Sequence, residues 1–220
     1  RRYPRLVESG LIGADSSLSP RDPRVPAWKD AEHKQWEADR MAAYAGQVDS
    51  LDQSVGRVVD ALRRAEVDDN TLVMFLSDNG ASDQAYGQLD KPGQTWRVDG
   101  TPTRVGNKPT IPPGGPDTFV TAGPPWSNVS NTPFRRHKQS NHEGGIATPF
   151  IAWSPGVIKQ AGAISSEPSH ITDVMATCLD VAGVEYPDRF KDRRVLPVAG
   201  RSLLPDFTGR RGQDPRTLCW

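Results

Sequence analysis

The stretch that decides the fold is Thr71-Leu-Val-Met-Phe-Leu-Ser-Asp-Asn-Gly80. Its five consecutive apolar residues, 72–76, are too few for an ordinary helix and do not alternate with polar residues. This pattern is typical of a strand covered on both faces of a parallel sheet. Ligands of open α/β sheets gather at the carboxyl ends of such strands, where Asp78 and Asn79 follow. A carboxylate beside an amide carbonyl suits Ca²⁺ or Mg²⁺, although Asp-Asn-Gly is equally ordinary turn chemistry.

The composition indicates a globular chain without a dominant charge. Lys+Arg and Asp+Glu number 27 each, so no overall field recruits nucleic acid or an acidic membrane. No apolar run is long enough to span a membrane, and the first residues lead into no signal peptide. Gly and Pro, 20 of each, indicate long irregular connections. Cys178 and Cys219 fit neither a disulfide framework nor a metal-binding spacing, and we interpret them as packing residues.

Two segments carry the period of an amphipathic helix. From about His33 to near Ala65, apolar residues recur at steps of three and four. A second helix is predicted after Pro168, with Gly183 just beyond its last turn. The apolar face of this second helix is predicted to comprise Ile171, Val174, Met175, Cys178, Leu179 and Ala182.

The start of the second helix offers two alternative N-caps, Ser169 and Thr172. His170 and Asp173 lie in its first turn. We interpret them as a capping and dipole-compensating pair rather than as catalysts.

The order of these elements indicates an α/β fold. A helix followed by a buried strand is half of a βαβ unit, which predicts a mainly parallel sheet with helices on both faces. Residues 1–32, which carry four prolines among many charges, are predicted to form a loop or arm. Residues 81–133 are rich in Gly and Pro but keep several aromatic side chains, so they are predicted to form a long loop that walls a pocket.

A basic segment follows the long loop. Five cationic or potentially cationic side chains lie within the eight residues 135–142, and two glycines and a predicted strand over Ile146–Trp153 come after them. Such a segment is either a solvated basic surface or, if its strand neighbours the one before Asp78, a site for an anion that bridges a cation and Lys138.

Together these segments resemble the later half of a type I sulfatase, an arylsulfatase-like member of the alkaline phosphatase superfamily. The motifs that carry the resemblance are Ser77-Asp-Asn-Gly80 after its strand, Lys138 five residues ahead of Glu143-Gly-Gly145, and the strand from Ile146. The resemblance covers about residues 35–220 and includes Val48-Asp-Ser-Leu-Asp-Gln-Ser-Val-Gly-Arg57, the helix at 170–183 and Gly200-Arg-Ser-Leu-Leu-Pro205.

The resemblance implies roles for three residues. Asp78 and Asn79 correspond to two protein ligands of a single divalent cation, usually calcium, and Lys138 to a lysine that contacts the sulfate oxygens near the leaving group. The implied reaction is hydrolysis of sulfate esters by a formylglycine made from Cys or Ser in a C/S-x-P-x-R motif. Cation and lysine neutralise charge on the sulfate oxygens as the ester bond breaks.

The chain departs from the family pattern at the nucleophile. Neither Cys178 nor Cys219 is followed by x-Pro-x-Arg, and the family's remaining cation ligands lie before the matching segment. We therefore expect an internal piece of a longer enzyme, truncated at both ends, with its formylglycine upstream. We expect the piece alone to be inactive, because two oxygen ligands are too few for a Ca²⁺ that takes six to eight.

The flanking basic residues inherit no role from the family. His137 is adjacent to Lys138 and is a candidate substrate-binding residue, whereas His142 is interpreted as a structural hydrogen-bonding residue. Arg135 and Arg136 contact either an acidic part of the substrate or a surface carboxylate.

Several expectations concern the intact protein. Residues 1–206 are expected to be the later part of the catalytic α/β domain, and 207–220 the start of a C-terminal subdomain. The substrate is expected to be a small-molecule or carbohydrate sulfate ester, and the resemblance implies export. The alternatives are a phosphonate monoester or phosphodiester hydrolase of the same superfamily, since the half-site suits any tetrahedral oxyanion, and a non-catalytic fragment.

Overall fold

A computed structural model describes residues 2–85, 96–210 and 217–218. These residues form a mixed α/β structure of six α-helices, six short strands and two 3₁₀ turns, at Trp28–Asp30 and Asp68–Asn70. The helices are α1 (Arg2–Glu8), α2 (Lys34–Arg64), α3 (Gly123–Ser130), α4 (Glu143–Ile146), α5 (Thr172–Ala182) and α6 (Leu204–Phe207). The strands are β1 (Val73–Leu76), β2 (Arg104–Val105), β3 (Thr118–Phe119), β4 (Phe150–Trp153), β5 (Arg189–Phe190) and β6 (Arg193–Arg194).

The chain divides into two compact units. The first comprises 1–7, 12–61 and 76–150, and the second 8–11, 62–75 and 151–220. Ile111 is a buried apolar side chain of the first unit and Leu203 of the second. The boundary expected between residues 206 and 207 stays a prediction. None of the described helices is both long and apolar enough to cross a membrane.

The longest element, α2, has nearly the bounds that its apolar period predicts, Lys34–Arg64 against His33–Ala65. Its N-terminal part packs in the first unit, where Trp36 Nε1 donates a hydrogen bond to the carbonyl oxygen of Ile111 at 2.7 Å. Arg40, only 5% exposed, pairs with Glu37 and donates to the carbonyl oxygen of Thr121 at 3.3 Å. Polar groups at the start of α2 therefore make long-range contacts, and near its end Arg63 lies over the Trp153 ring at 5.8 Å, whereas Val48 and Val58 on its apolar stripe are about half exposed.

The two strands on which the sequence argument rests are neighbours. β1 and β4 form a two-stranded sheet. Each of the four residues of β1 is half-buried. The strand starts at Val73, two residues after the predicted Thr71. The strand predicted over Ile146–Trp153 begins only at Phe150, because its first residue closes α4 and Pro149 has no N–H for a ladder. The parallel direction and the helices on both faces stay predictions.

The long loop has more regular structure than the sequence predicts. Within its described part, β2 and β3 pair in parallel, with Arg104 opposite Thr118, and α3 follows. Pro124 and Pro125, two of the prolines that suggested a loop, occupy the first turn of α3, where a helix needs no N–H donor. The predicted turn at Lys91-Pro-Gly lies outside the described residues.

In the second unit, α5 ends as predicted but turns its polar side inward. Gly183 closes it in the left-handed conformation at φ 63°. The N-cap position is Ile171 and makes no side-chain cap, so the prediction of Ser169 or Thr172 is wrong. Instead Asp173 Oδ2 accepts a hydrogen bond from the backbone N–H of His170 at 2.8 Å, as the predicted capping pair requires.

The predicted apolar face of α5 is wrong for four of its six residues, whereas Val174 and Leu179 are half-buried. Ile171 and Met175 are 59% and 56% exposed, and Cys178 is exposed rather than packed. Asp173 and Thr177 are the fully buried side chains of this helix, because they accept hydrogen bonds from the backbone N–H groups of Arg201 and Leu203 at 3.0 and 2.9 Å. Cys219 lies outside the described residues.

Candidate active site

The turn after β1 presents the two candidate cation ligands. Asp78 is exposed and Asn79 half-buried. Ser77 Oγ donates to the carbonyl oxygen of Asn79 at 3.0 Å, and Asn79 Nδ2 donates to that of Gly80 at 2.9 Å. Among the described residues the Asp78 carboxylate makes no hydrogen bond or ion pair. The turn therefore holds its backbone firmly and leaves the carboxylate available to a ligand.

Three glycines fasten this turn to the segment after Lys138; we call Gly80, Gly144 and Gly145 the glycine clasp. The N–H of Gly80 donates to the carbonyl oxygen of Gly145 at 2.9 Å. A Cβ on Gly80 would lie 1.8 Å from the carbonyl oxygen of Gly144, one on Gly144 2.2 Å from that of Arg136, and one on Gly145 2.1 Å from that of Ser140. Real Cβ atoms do not approach this closely, so the clasp requires glycine because of backbone proximity, not because of turn geometry.

Lys138 joins the same arrangement through its backbone. Its N–H donates to the carbonyl oxygen of Ala81 at 3.1 Å, two residues beyond Asn79, while its side chain is exposed. The Asn131 side chain bridges the two segments: Oδ1 accepts from Ala81 N–H at 2.9 Å and Nδ2 donates to the carbonyl oxygen of Arg136 at 3.0 Å. The described structure thus brings the segments that carry Asp78, Asn79 and Lys138 side by side.

His137 points away from solvent. It is 3% exposed, with Nδ1 3.1 Å from Ser127 Oγ and Nε2 3.3 Å from Asp22 Oδ2. His142 is exposed, as are Arg135 and Arg136, and its backbone N–H donates a hydrogen bond to Ser140 Oγ at 3.2 Å.

The Asp22 carboxylate belongs to a charged chain that sequence reasoning missed. Arg24 donates to Asp22 from its backbone N–H at 2.9 Å and from NH2 at 2.8 Å, and its NH1 donates to Asp83 Oδ2 at 2.9 Å. The Arg24 guanidinium holds the pKa of Asp22 well below its usual range, although burial of the carboxyl acts in the opposite direction. The hydrogen bond with His137 lowers the same pKa by a smaller amount. No local pattern signals these contacts, because Arg24 and Asp83 are 59 positions apart and lie in irregular segments.

The donor set around Asp78 fits part of a site for a hard cation. The Asp78 carboxylate and the Asn79 amide oxygen are the oxygen ligands that such a cation prefers. Asn79 donates its hydrogen bond to Gly80 from the side-chain nitrogen, so this hydrogen bond does not occupy the side-chain oxygen. In the part of the chain that the structure describes, no group of three or more His, Cys, Asp or Glu side chains could hold a metal ion.

Comparison with known proteins agrees with the motifs. The family model described as Sulfatase matches residues 18–184. This chain belongs to the sulfatase family. The matched range of the sulfatase chain includes the metal-candidate turn, the glycine clasp, Lys138 and the charged chain through Arg24.

Individual relatives are similar at moderate identity. The sulfatase chain is 31% identical to an arylsulfatase of Klebsiella aerogenes over 207 aligned residues. The aligned region covers 92% of this chain and 42% of that protein. It is 33% identical over 162 residues to an N-acetylgalactosamine-6-sulfatase of Sus scrofa, which covers 74% of this chain and 22% of that protein. The chain therefore spans less than half the length of either relative.

Proposed function

We propose that the natural enzyme hydrolyses sulfate esters and that this chain supplies part of its cation and sulfate site. The observation that carries the proposal is the glycine clasp together with the Lys138–Ala81 hydrogen bond. These contacts join an exposed carboxylate and an exposed ammonium whose segments lie 60 positions apart in the chain, an arrangement suited to an anion that meets both a cation and Lys138.

Each residue has a distinct task in this proposal. Asp78 and Asn79 donate oxygens to one divalent cation, which we propose is calcium. The cation, when bound, supplies positive charge that polarises the sulfate group. Lys138 contacts the sulfate oxygens on the leaving-group side and stabilises the charge that develops there. The formylglycine that the resemblance implies is at neither cysteine of this chain, so no step is assigned to Cys178 or Cys219.

Further parts of the proposal rest on family membership. We propose an alkaline phosphatase-like fold whose main sheet is parallel with helices on both faces. The names of the relatives support sulfated aryl compounds and sulfated carbohydrates as substrate classes. Export of the natural enzyme follows the family resemblance. A substrate-binding role for His137 stays a prediction, and its buried position supports an indirect role better.

The test is the turnover of a nitrophenyl sulfate by two variants of the natural enzyme. Asp78→Ala and Lys138→Ala are each expected to lower kcat/KM by about 10²-fold or more, the usual loss when a group that stabilises transition-state charge is removed. Asp52→Ala and Lys159→Ala are the matched controls, because both side chains are exposed and lie outside the site segments and the predicted pocket loop. Near-wild-type turnover in both site variants would refute the site assignment.

A second substrate separates the proposed reaction from its closest alternative. A nitrophenyl phosphonate ester presents the same leaving group on a different tetrahedral oxyanion. We expect the sulfate ester to be turned over at higher kcat/KM by the natural enzyme. A preference for the phosphonate would reassign the enzyme to phosphonate monoester hydrolysis with the same half-site.

A further inference from the structure

A chain of charged side chains links the two halves of the candidate site through the N-terminal arm. It runs Asp83–Arg24–Asp22–His137, and we call it the arm relay. Arg24 NH1 lies 2.9 Å from Asp83, its NH2 lies 2.8 Å from Asp22, and Asp22 Oδ2 lies 3.3 Å from His137 Nε2. All four residues belong to the first compact unit.

The two ends of the arm relay lie close in sequence to the candidate site residues. Asp83 comes four residues after Asn79, and His137 directly precedes Lys138. We propose that Arg24, Asp22 and His137 are positioning residues that keep Lys138 in register with the Asp78–Asn79 turn. The catalytic consequence of this inference rests on the proposed function, whereas its structural content does not.

The hydrogen-bond partners at the buried end of the arm relay determine the orientation of the His137 ring. A carboxylate only accepts hydrogen bonds, so Nε2 must carry a proton and donate it to Asp22. Nδ1 lies 3.1 Å from Ser127 Oγ, so both ring nitrogens have partners in a site that is 3% exposed. A buried polar group without a hydrogen-bond partner destabilises the fold by its full desolvation penalty. The ring orientation in which both nitrogens have partners is therefore the stable one. The lowered pKa of Asp22 keeps the acceptor ionised.

The relay adds a constraint that the glycine clasp does not supply. The clasp and the Ala81–Lys138 hydrogen bond fix backbone atoms at the crossing of the two segments. The arm relay holds residues close to that crossing through side chains, and its two middle members, Arg24 and Asp22, come from a third segment. Because the Arg24 side chain is 50% exposed, that link can be removed without opening a buried core.

The experiment compares Arg24→Gln with Arg21→Gln in the natural enzyme. Arg21 is an exposed arginine of the same arm, so the control removes the same charge three positions away. Hydrogen–deuterium exchange is followed in peptides covering 77–83 and 135–146, and kcat and KM are measured with a nitrophenyl sulfate. Melting curves identify a variant that fails to fold, in which case Arg24→Lys replaces it.

We expect Arg24→Gln, but not Arg21→Gln, to raise exchange at least threefold in both peptides. We also expect kcat to fall about tenfold with KM changed less than about threefold, because misplacement of a reacting group lowers the chemical step more than binding. His137→Gln, whose amide can still donate to Asp22, should retain more kcat than His137→Phe.

The outcomes separate the inference from the proposed function. Unchanged exchange in both peptides of folded Arg24→Gln refutes the inference, whatever the activity. Raised exchange with unchanged kcat also refutes it, because the link would then be structural only. A wild-type enzyme that turns over no sulfate ester refutes the proposed function, and the exchange of the two peptides still decides whether the relay couples them.

Discussion

Asp78 and Asp173 are the same residue type in opposite situations. Asp173 is fully buried and accepts hydrogen bonds from two backbone N–H groups, of His170 and Arg201. Asp78 is exposed, and its carboxylate has no hydrogen bond or ion pair within the described residues. Around the candidate site, backbone hydrogen bonds and the Asn131 side chain hold the two segments together without the Asp78 carboxylate. A carboxylate that stabilises the fold has its oxygens occupied by backbone N–H groups. A carboxylate that is available to a ligand is positioned by hydrogen bonds of its neighbours.

The largest expected effect comes from breaking the glycine clasp. Gly80→Ala would place a Cβ 1.8 Å from the carbonyl oxygen of Gly144 and so force the two segments apart. We expect kcat/KM to fall by at least about 10²-fold and the free energy of unfolding by about 3 kcal/mol, as for severe backbone strain. Enzyme kinetics and urea unfolding measure the two effects.

The control for the clasp is Gly46→Ala, in the middle of α2. A Cβ there meets no atom within 4 Å, so the change should be neutral or stabilise the protein by up to about 1 kcal/mol. If Gly80→Ala behaved like Gly46→Ala, the close approach of the two segments would be incorrect.

The next effect sharpens the contrast between the two aspartates. Asp173→Ala leaves two backbone N–H groups without their acceptor, so the free energy of unfolding should fall by about 2–4 kcal/mol. The kcat of the folded fraction should stay within about twofold of wild type, because this change removes no transition-state contact. Asp78→Ala should lower kcat strongly and leave the free energy of unfolding almost unchanged. Equal losses of stability in both variants would remove the distinction.

A smaller effect concerns acid stability. The folded state lowers the pKa of Asp22 from its ordinary value of 3.8, chiefly through Arg24. The stabilisation is therefore present above about pH 4 and is lost as the pH falls through the folded-state pKa. Asp22→Asn should lower the free energy of unfolding by about 1–2 kcal/mol at neutral pH and flatten its decline below about pH 4.

Urea midpoints at pH 7, 4 and 3 measure this dependence. Asp52→Asn is the control, since Asp52 is exposed on α2. An acid limb that is identical in wild type and Asp22→Asn would show that Asp22 is not paired in the folded protein.

The smallest effect concerns the exposed side of α5. Cys178→Ser should change the free energy of unfolding by less than about 0.5 kcal/mol, because an exposed side chain loses little contact. The Cys178 thiol of the native enzyme should also react with a disulfide reagent without denaturant. A protected thiol, with a loss of 1–2 kcal/mol in the serine variant, would favour the packed cysteine that the helical pattern predicts.

Sequence reasoning succeeds where one local signal dominates. The period of α2 continues over many turns, so its bounds are predicted within about one residue. Gly183 is predictable because glycine adopts the left-handed conformation without steric cost. The family membership of the site segments is readable from Ser77-Asp-Asn-Gly80 and Lys138.

It fails where contacts over long sequence distances decide the structure. Gly80 suggests a turn, yet the reason it must be glycine is the backbone of Gly144, 64 positions away. The partners of His137 come from residues 10 and 115 positions away, which no local pattern encodes. The inward side of α5 is set by hydrogen bonds to residues 201 and 203, which override its apolar period.

The glycine clasp also governs which substitutions this region tolerates. The atoms that a Cβ would meet at Gly80, Gly144 and Gly145 are all backbone atoms, so no second substitution elsewhere can make room by shortening a side chain. In a saturation library, these three positions should accept no residue but glycine in any genetic background. Exposed Gln139, next to Lys138, has a φ of 70° and should therefore accept Gly and Asn more readily than β-branched residues. Attempts to alter substrate preference are therefore best directed at the exposed side chains around the clasp.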